Sequence, residues 1–365
     1  TGSVNAALTR CAAHTEGAIA VGEPGTAAFF EKLGVPLLFD ASYEKPLEAY
    51  RASRASLSHR LAVFQPDDGS KAPHLASYAV FARAPTIEFP EGGSEVQRAV
   101  LEDMHATKAL GAAFGWTNSN EFEYVSTLSA SGVWAHASDW SDDLPALSMA
   151  KGLSNLVVHA QLDSAREQLR TQVESAQRLE RAEGMAEVRV GAEAGAEAAP
   201  THTVAFVMSD GDNLQWLQND WRSEQWYGAP ERGAVPIGWT VPAAAVHLLP
   251  TILSWLTRQA SANDTFVAGP SGAGYAFAEK LPGSRAAPFA EATAELMAQA
   301  GLRLVNVIGS VPTSESLHQL TAQPDIDAVL YWTFDSDYSG LSGNVAYING
   351  KPVIGGRRSL WGDGS

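Results

Sequence analysis

Thr203-Val204-Ala205-Phe206-Val207-Met208 is a nearly unbroken apolar run that stops abruptly at Ser209-Asp210-Gly211-Asp212-Asn213. A strand apolar along its whole length is buried on both faces, as strands of a parallel sheet are. The same pattern recurs on both sides of it. Upstream runs cover residues 35–39 before Asp40, 77–81 before Arg83, 111–116 before Asn118 and 132–136 before Asp139. Downstream runs cover 235–239 before Thr240, 265–268 before Gly269, 304–308 before Gly309 and 328–333 before Asp335. Amphipathic stretches lie between them. Residues 94–110 carry Val96, Val100 and Met104 at helical spacing, 250–259 carry Ile252, Leu253 and Leu256, and 287–300 carry Phe289, Leu296 and Met297. Alternation of strand and helix defines an α/β chain. About eight or nine such units predict a (β/α)8-type barrel or a barrel-like parallel sheet, with an open doubly wound sheet as the alternative.

Residues 156–183 break the rhythm. They are highly charged, with Leu162, Ala165, Leu169 and Val173 spaced three or four apart, which predicts a long surface helix. Residues 184–200 are rich in Ala, Gly and Glu, the composition of a flexible linker. The chain therefore divides into an N-terminal α/β half (1–183), the linker (184–200) and a C-terminal α/β half (201–365); the two halves can belong to one barrel.

With 365 residues, 45% of them hydrophobic, the chain has ample material for a large core. The formal charge is −16, which disfavours nucleic acid and anionic membrane as partners. No run approaches the ~18 apolar residues of a membrane-spanning helix. Cys11 is the sole cysteine, so neither an internal disulfide nor a thiolate zinc cage forms. The chain starts at Thr1 without Met. A processed or cut N-terminus is the expectation, with any signal peptide already gone and an extracellular or periplasmic location. No Gly-x-Gly-x-x-Gly opens a helix after the first strand and no P-loop motif occurs, so nucleotide cofactors have no support.

In a parallel sheet the polar residues that follow each strand gather on one edge, where such folds place their sites. Asp210 and Asp212 are the sharpest candidates. Two carboxylates at a strand end serve as acid and base, or as nucleophile and acid, when their environments push their pKa values apart. The same pair can hold a divalent metal through oxygen, or one of them can cap a helix starting at Leu214, as can Asn213. Asp335 and Asp337 end the last strand in the same style, against the alternative of a solvated turn. Glu231, beside Arg232, is a further candidate carboxylate, and it reads equally as half of an ion pair. Of Glu121 and Glu123, which flank Phe122, at most one is central. Asp139-Trp140 forms an acidic turn. Aromatic faces among polar groups suit sugar rings, which makes Trp116, Trp140 and Trp239 candidate substrate contacts. No His-x-His or His-x-x-x-His pair supports a zinc site.

The second distinctive stretch is Gly269-Pro270-Ser271-Gly272-Ala273-Gly274-Tyr275. Its glycines permit positive φ and close approach of backbone to a ligand. Here the sequence resembles the family named for its Gly-x-Gly-Tyr-x-Tyr-Pro motif and assigned to the glycoside hydrolases. Gly272, Gly274 and Tyr275 match; Phe277 stands for the second Tyr and Ala278 for the Pro. The Ser209–Asn213 stretch, Pro230-Glu231-Arg232-Gly233, Gly238-Trp239-Thr240 and Asn263-Asp264 look like the family as well, with looser likeness at Gly115-Trp116 and Ser138-Asp139-Trp140. The resemblance covers roughly residues 75–365.

The resulting expectation is a glycoside hydrolase acting on an oligo- or polysaccharide. Asp210 or Asp212 supplies one catalytic carboxyl group, and Glu231, Asp335 or Asp337 the other. Trp116, Glu121, Asp139, Trp140, Asn213, Trp239, Ser271, Gly272, Gly274 and Tyr275 are the expected substrate contacts. No cofactor is expected. The alternatives are a metal-dependent carbohydrate hydrolase or deacetylase, with the ion on Asp210 and Asp212, and a non-catalytic glycan-binding protein.

Overall fold

The computed structural model describes residues 4–14, 19–21, 28, 31–34, 37–40, 44–65, 72–89, 93–116, 120–138, 156, 160–182, 204–211, 213–309, 314–334 and 343–358. Its strands in chain order are β1 (Ile19–Val21), β2 (Leu37–Asp40), β3 (Leu61–Phe64), β4 (Thr86–Ile87), β5 (Gly111–Gly115), β6 (Val133–His136) and β7 (Phe206–Met208). They continue with β8 (Ile237–Val241), β9 (Asp264–Ala268), β10 (Leu304–Gly309), β11 (Ala328–Thr333), β12 (Val345–Ile348) and β13 (Lys351–Gly355). The helices used below are α1 (Ala72–Ala82), α2 (Glu95–Ala106), α3 (Glu121–Ala130), α4 (Asp163–Ala182), α5 (Leu214–Gln218), α6 (Pro250–Gln259) and α7 (Gly283–Ala300).

The chain is α/β, and its strands form separate sheets. Seven strands run in the order β12-β13-β11-β10-β9-β8-β7, parallel throughout except for the β12–β13 hairpin. Four more run in the order β4-β3-β5-β6, all parallel, and β1 pairs with β2 alone. The larger sheet is apolar where the sequence says it should be. Val305 and Val307 of β10 and Val329 of β11 are fully buried, and Ile308 is nearly so.

The expected barrel does not form: no sheet closes among the described residues. Closure requires the last strand of one sheet to pair along its length with the first of the next. β7 is three residues long, pairs among the described residues only with β8, and leaves Phe206 half exposed. β6 finds its outer partner in the loop that follows β9. Ala135 N donates to Tyr275 O at 2.8 Å and Tyr275 N donates to Ala135 O at 2.8 Å, an isolated antiparallel bridge.

The run at 77–81, expected as a strand, lies inside α1. Ala72, Ala76, Ala79 and Ala82 give that segment strong helix propensity, and a short apolar run alone does not separate a buried helix from a buried strand. The long charged helix is present as α4. Its Leu169 and Val173 are buried, and it packs on α6, where Ser254 Oγ donates to Gln172 Oε1 at 3.1 Å. Residues 184–200, expected as a linker, lie outside the described residues. None of the described helices is long and apolar enough to cross a membrane.

The two larger sheets share their interior. The cluster of Ala62, Phe64, Ala113, Val133 and Ala135 also holds Tyr275, Phe277 and Ile308. A second sets Ala112 and Trp134 against Ala273, Ala276 and Phe289. The largest sets Val63, Tyr78 and Phe114 with Leu214, Leu217 and Val305.

Candidate active site

The C-terminal ends of β5, β7 and β9 bring residues from both halves together. α3 follows β5 after a short connection and starts at Asn120, whose side chain accepts from Phe122 N at 2.8 Å. This cap places Glu121 in the first helical turn, partly buried. Tyr275 Oη donates to Glu121 Oε1 at 2.6 Å. The Tyr275 ring lies nearly parallel to Trp116, with centroids 6.4 Å apart, and Trp116 packs on Tyr124 at 4.8 Å. Phe122, Phe277 and Phe334 close the other side with centroids 5.3–5.6 Å apart.

In these surroundings a carboxylate is poorly solvated. Burial pushes the Glu121 carboxyl up to about 7, the charge of Asp210 adds to the rise, and the Tyr275 hydrogen bond opposes it. Asp210 is likewise pushed up, to about 6, chiefly by burial, with the Ser209 side chain opposing. It sits in the left-handed region at φ 68°, costly for a residue with a side chain. The loop is pressed against β8: a Cβ on Gly211 would overlap Thr240 O and come within 3.0 Å of Trp221 Cζ2.

The glycine–tyrosine turn is shaped by packing. Gly272 has φ 118°, and a Cβ there would overlap the Thr293 side chain. A Cβ on Gly274 would overlap Trp134 Cδ1 and lie 2.9 Å from Ala135 O. These glycines let the turn lie against β6 and α7, which holds Tyr275 over Glu121. Ser271 is fully buried at φ 64°, its N donating to Asn306 O at 2.7 Å and its Oγ facing the backbone of Ile308 at 3.4 Å.

Among the expected site residues, the structure brings together Asp210, Glu121, Trp116 and Tyr275. Asp212, Asp335, Asp337, Asp139 and Trp140 lie outside the described residues. Glu231 is exposed in the turn that precedes β8, at the strand's N-terminal end and so away from the edge that carries Glu121. Its neighbour Arg232 makes the ion pair, with Asp264 as partner at 2.5 Å. Trp239 is 3% exposed and donates from Nε1 to Asp264 Oδ1 at 2.8 Å, which commits it to the interior. Asn213 caps α5, accepting from Gln215 N and Trp216 N at 3.1 and 3.2 Å. Ser271 is committed to β10, and Gly272 and Gly274 to close packing. Among the described residues no three His, Cys, Asp or Glu side chains gather as metal ligands.

Sequence reasoning weighed Glu121 only as a substrate contact. Its place immediately after a predicted strand, on the edge that carries Asp210, is the signal that points to a carboxyl pair split between the halves.

Residues 200–365 match the family model described as "GxGYxYP putative glycoside hydrolase C-terminal domain", and residues 59–149 match "GxGYxYP third domain". The chain belongs to the GxGYxYP family. Among curated proteins nothing matches it. A crystal structure described as a "putative hydrolase" from Bacteroides thetaiotaomicron has the same fold, with a TM-score of 0.73 and 20% identity over 98% of this chain. This chain spans 62% of the length of that protein. Where the GxGYxYP motif has its second Tyr, Phe277 is fully buried among Phe122, Tyr275 and Phe334, and its N donates to Ser129 Oγ at 3.0 Å.

Proposed function

We propose that the protein is a glycoside hydrolase in which Glu121 is the general acid and Asp210 its ionised partner. The observation that carries this reading is one arrangement. Two partly buried carboxyl groups, one from each half, follow strand ends, the charge of Asp210 acts on Glu121, and a tyrosine holds Glu121. Glycosidic cleavage needs a carboxyl that keeps its proton beside one that has lost it. Glu121, pushed up to about 7, retains its proton through the lower neutral range, while Asp210 at about 6 is largely ionised there. Glu121 gives its proton to the glycosidic oxygen as the bond to the anomeric carbon breaks. Asp210 either attacks that carbon or takes a proton from the water that does, giving retention or inversion respectively. The family description and the fold of the Bacteroides protein support the reaction class.

The test is turnover on a panel of oligo- and polysaccharides. Glu121→Gln and Asp210→Asn each lower kcat by about 10²–10⁴ while circular dichroism is unchanged. The pH–rate profile is bell-shaped. Activity is lost below about 6 as Asp210 gains a proton and above about 7 as Glu121 loses one, with both limbs belonging to the interacting pair. Full activity in both variants removes the assignment.

A further inference from the structure

We propose that Tyr275 is a positioning residue: its hydroxyl, held on Glu121 Oε1, fixes the carboxyl in one orientation and leaves Oε2 as the oxygen that carries the transferable proton. This rests on the reading of Glu121 as the acid, and it deepens that reading. The tyrosine is fixed at three points. Its backbone is bridged to Ala135 in both directions at 2.8 Å. Gly274 presses its approach against Trp134, and its ring lies nearly parallel to Trp116. With only 5% of its surface exposed, Tyr275 is poorly placed to bind substrate itself. Its hydroxyl instead reaches a carboxyl oxygen 2.6 Å away. A protonated carboxyl that accepts at one oxygen bears its proton on the other, so the hydrogen bond at Oε1 selects Oε2 as donor.

Among the described residues, Asp210, Lys280 and Glu123 are charged groups on the segments around Glu121. Asp210 acts on it from the end of β7 and raises its proton affinity. Lys280, on the segment after Tyr275, turns Nζ to Ser126 Oγ at 2.6 Å and to the Phe122 ring at 3.9 Å. Glu123 is exposed. The tyrosine is the group that opposes the rise.

The experiment reads a titration as well as turnover. The full chain is labelled with 13C at glutamate carboxyl carbons, and the signal missing from Glu121→Gln identifies Glu121. In the unsubstituted chain that signal titrates near neutrality. In Tyr275→Phe its midpoint rises by about one pH unit, the worth of one hydrogen bond to a charged group. A chain with 3-fluorotyrosine installed at position 275 shifts the other way, because its more acidic hydroxyl donates more strongly. This second arm also decides the matter if Tyr275→Phe fails to fold. A midpoint that stays or falls in folded Tyr275→Phe, or stays in the fluorinated chain, overturns the proposal. On a hydrolysed glycan, Tyr275→Phe loses about tenfold in kcat with KM within about twofold, and the alkaline limb moves to higher pH. The expected titration shifts without turnover on any glycan would discard the hydrolase reading and retain the tyrosine tie.

Discussion

A carboxyl group that keeps its proton near neutrality lowers the stability of the fold that holds it, and Glu121 is such a group. Unfolded, it ionises near 4.5; folded, it is pushed up to about 7 by burial and by Asp210. Between those values the unfolded chain releases a proton that the folded chain keeps. Stability therefore falls as pH rises from about 4.5 to 7, and the penalty is complete above 7. Glu121→Gln removes it while leaving an oxygen for Tyr275. The variant should melt a few degrees above the unsubstituted protein at pH 8 and together with it at pH 4.5, measured by thermal circular dichroism. An equal change at both values would show that burial of this carboxyl is not its source. His136 acts on the acid side. Burial holds it down to about 4 while its Nε2 accepts from Trp134 Nε1 at 3.2 Å, so it weakens the fold as pH falls from 6.5 toward 4. Neither proton affinity is readable in sequence, because it depends on what surrounds the side chain in the fold.

At the scale of elements, the glycine–tyrosine turn acts as a rivet. Gly274 lies where β6 and the loop after β9 exchange two backbone hydrogen bonds, and Trp134 leaves no space for a methyl group. Gly274→Ala should cost about 1–3 kcal/mol, the usual range for overpacking, read as a lowered denaturant midpoint with unchanged slope. It should also reduce activity, since the turn sets the height of Tyr275 over Glu121. Much of this level was legible beforehand. The strand at 328–333 and the helix at 250–259 stand where apolar continuity and periodicity put them, because burial on both faces and on one face write different patterns. The run at 77–81, expected as a strand, lies in a helix, because a short apolar run does not separate a buried helix from a buried strand. The β12–β13 hairpin was missed because its outer face is apolar yet exposed, with Val345 at 52% and Tyr347 at 74%. Asp210 and Glu121 each follow a strand in the sequence, but the action of Asp210's charge on Glu121 joins residues from different halves. Strand-end position marks each residue as a candidate, but which candidates come close depends on how the two sheets meet, and local spacing does not encode that.

At the scale of the molecule, the question is whether two sheets behave as one body. Each of the three apolar clusters draws on both halves, so neither half buries its own apolar surface alone. Polar ties reinforce this. Arg285, at the start of α7, is 3% exposed and donates to Ala109 O and His105 O at 2.5 and 2.7 Å, where α2 ends. A cation at a helix C-terminus satisfies carbonyls that the helix leaves unpaired. Gly132, at φ 74°, passes so close that a Cβ would lie 3.0 Å from the arginine side chain. Cores shared in this way unfold together, and calorimetry should therefore give a single endotherm, with Trp fluorescence from both halves following the same midpoint. Arg285→Met keeps the bulk of the side chain but loses the hydrogen bonds to Ala109 O and His105 O, of which His105 O keeps Lys108 N as a donor, at about 1–3 kcal/mol in all. It should lower that single midpoint by several degrees and weaken amide-exchange protection at the end of α2 first. Because Arg285 sits by the start of β5, remote from Glu121 at the other end of that strand, the surviving folded fraction should keep its pH profile. Two resolved endotherms in the unsubstituted protein would mean that the halves fold independently. A pair of carboxyls divided between them would then lack the rigid frame on which its proton affinities depend.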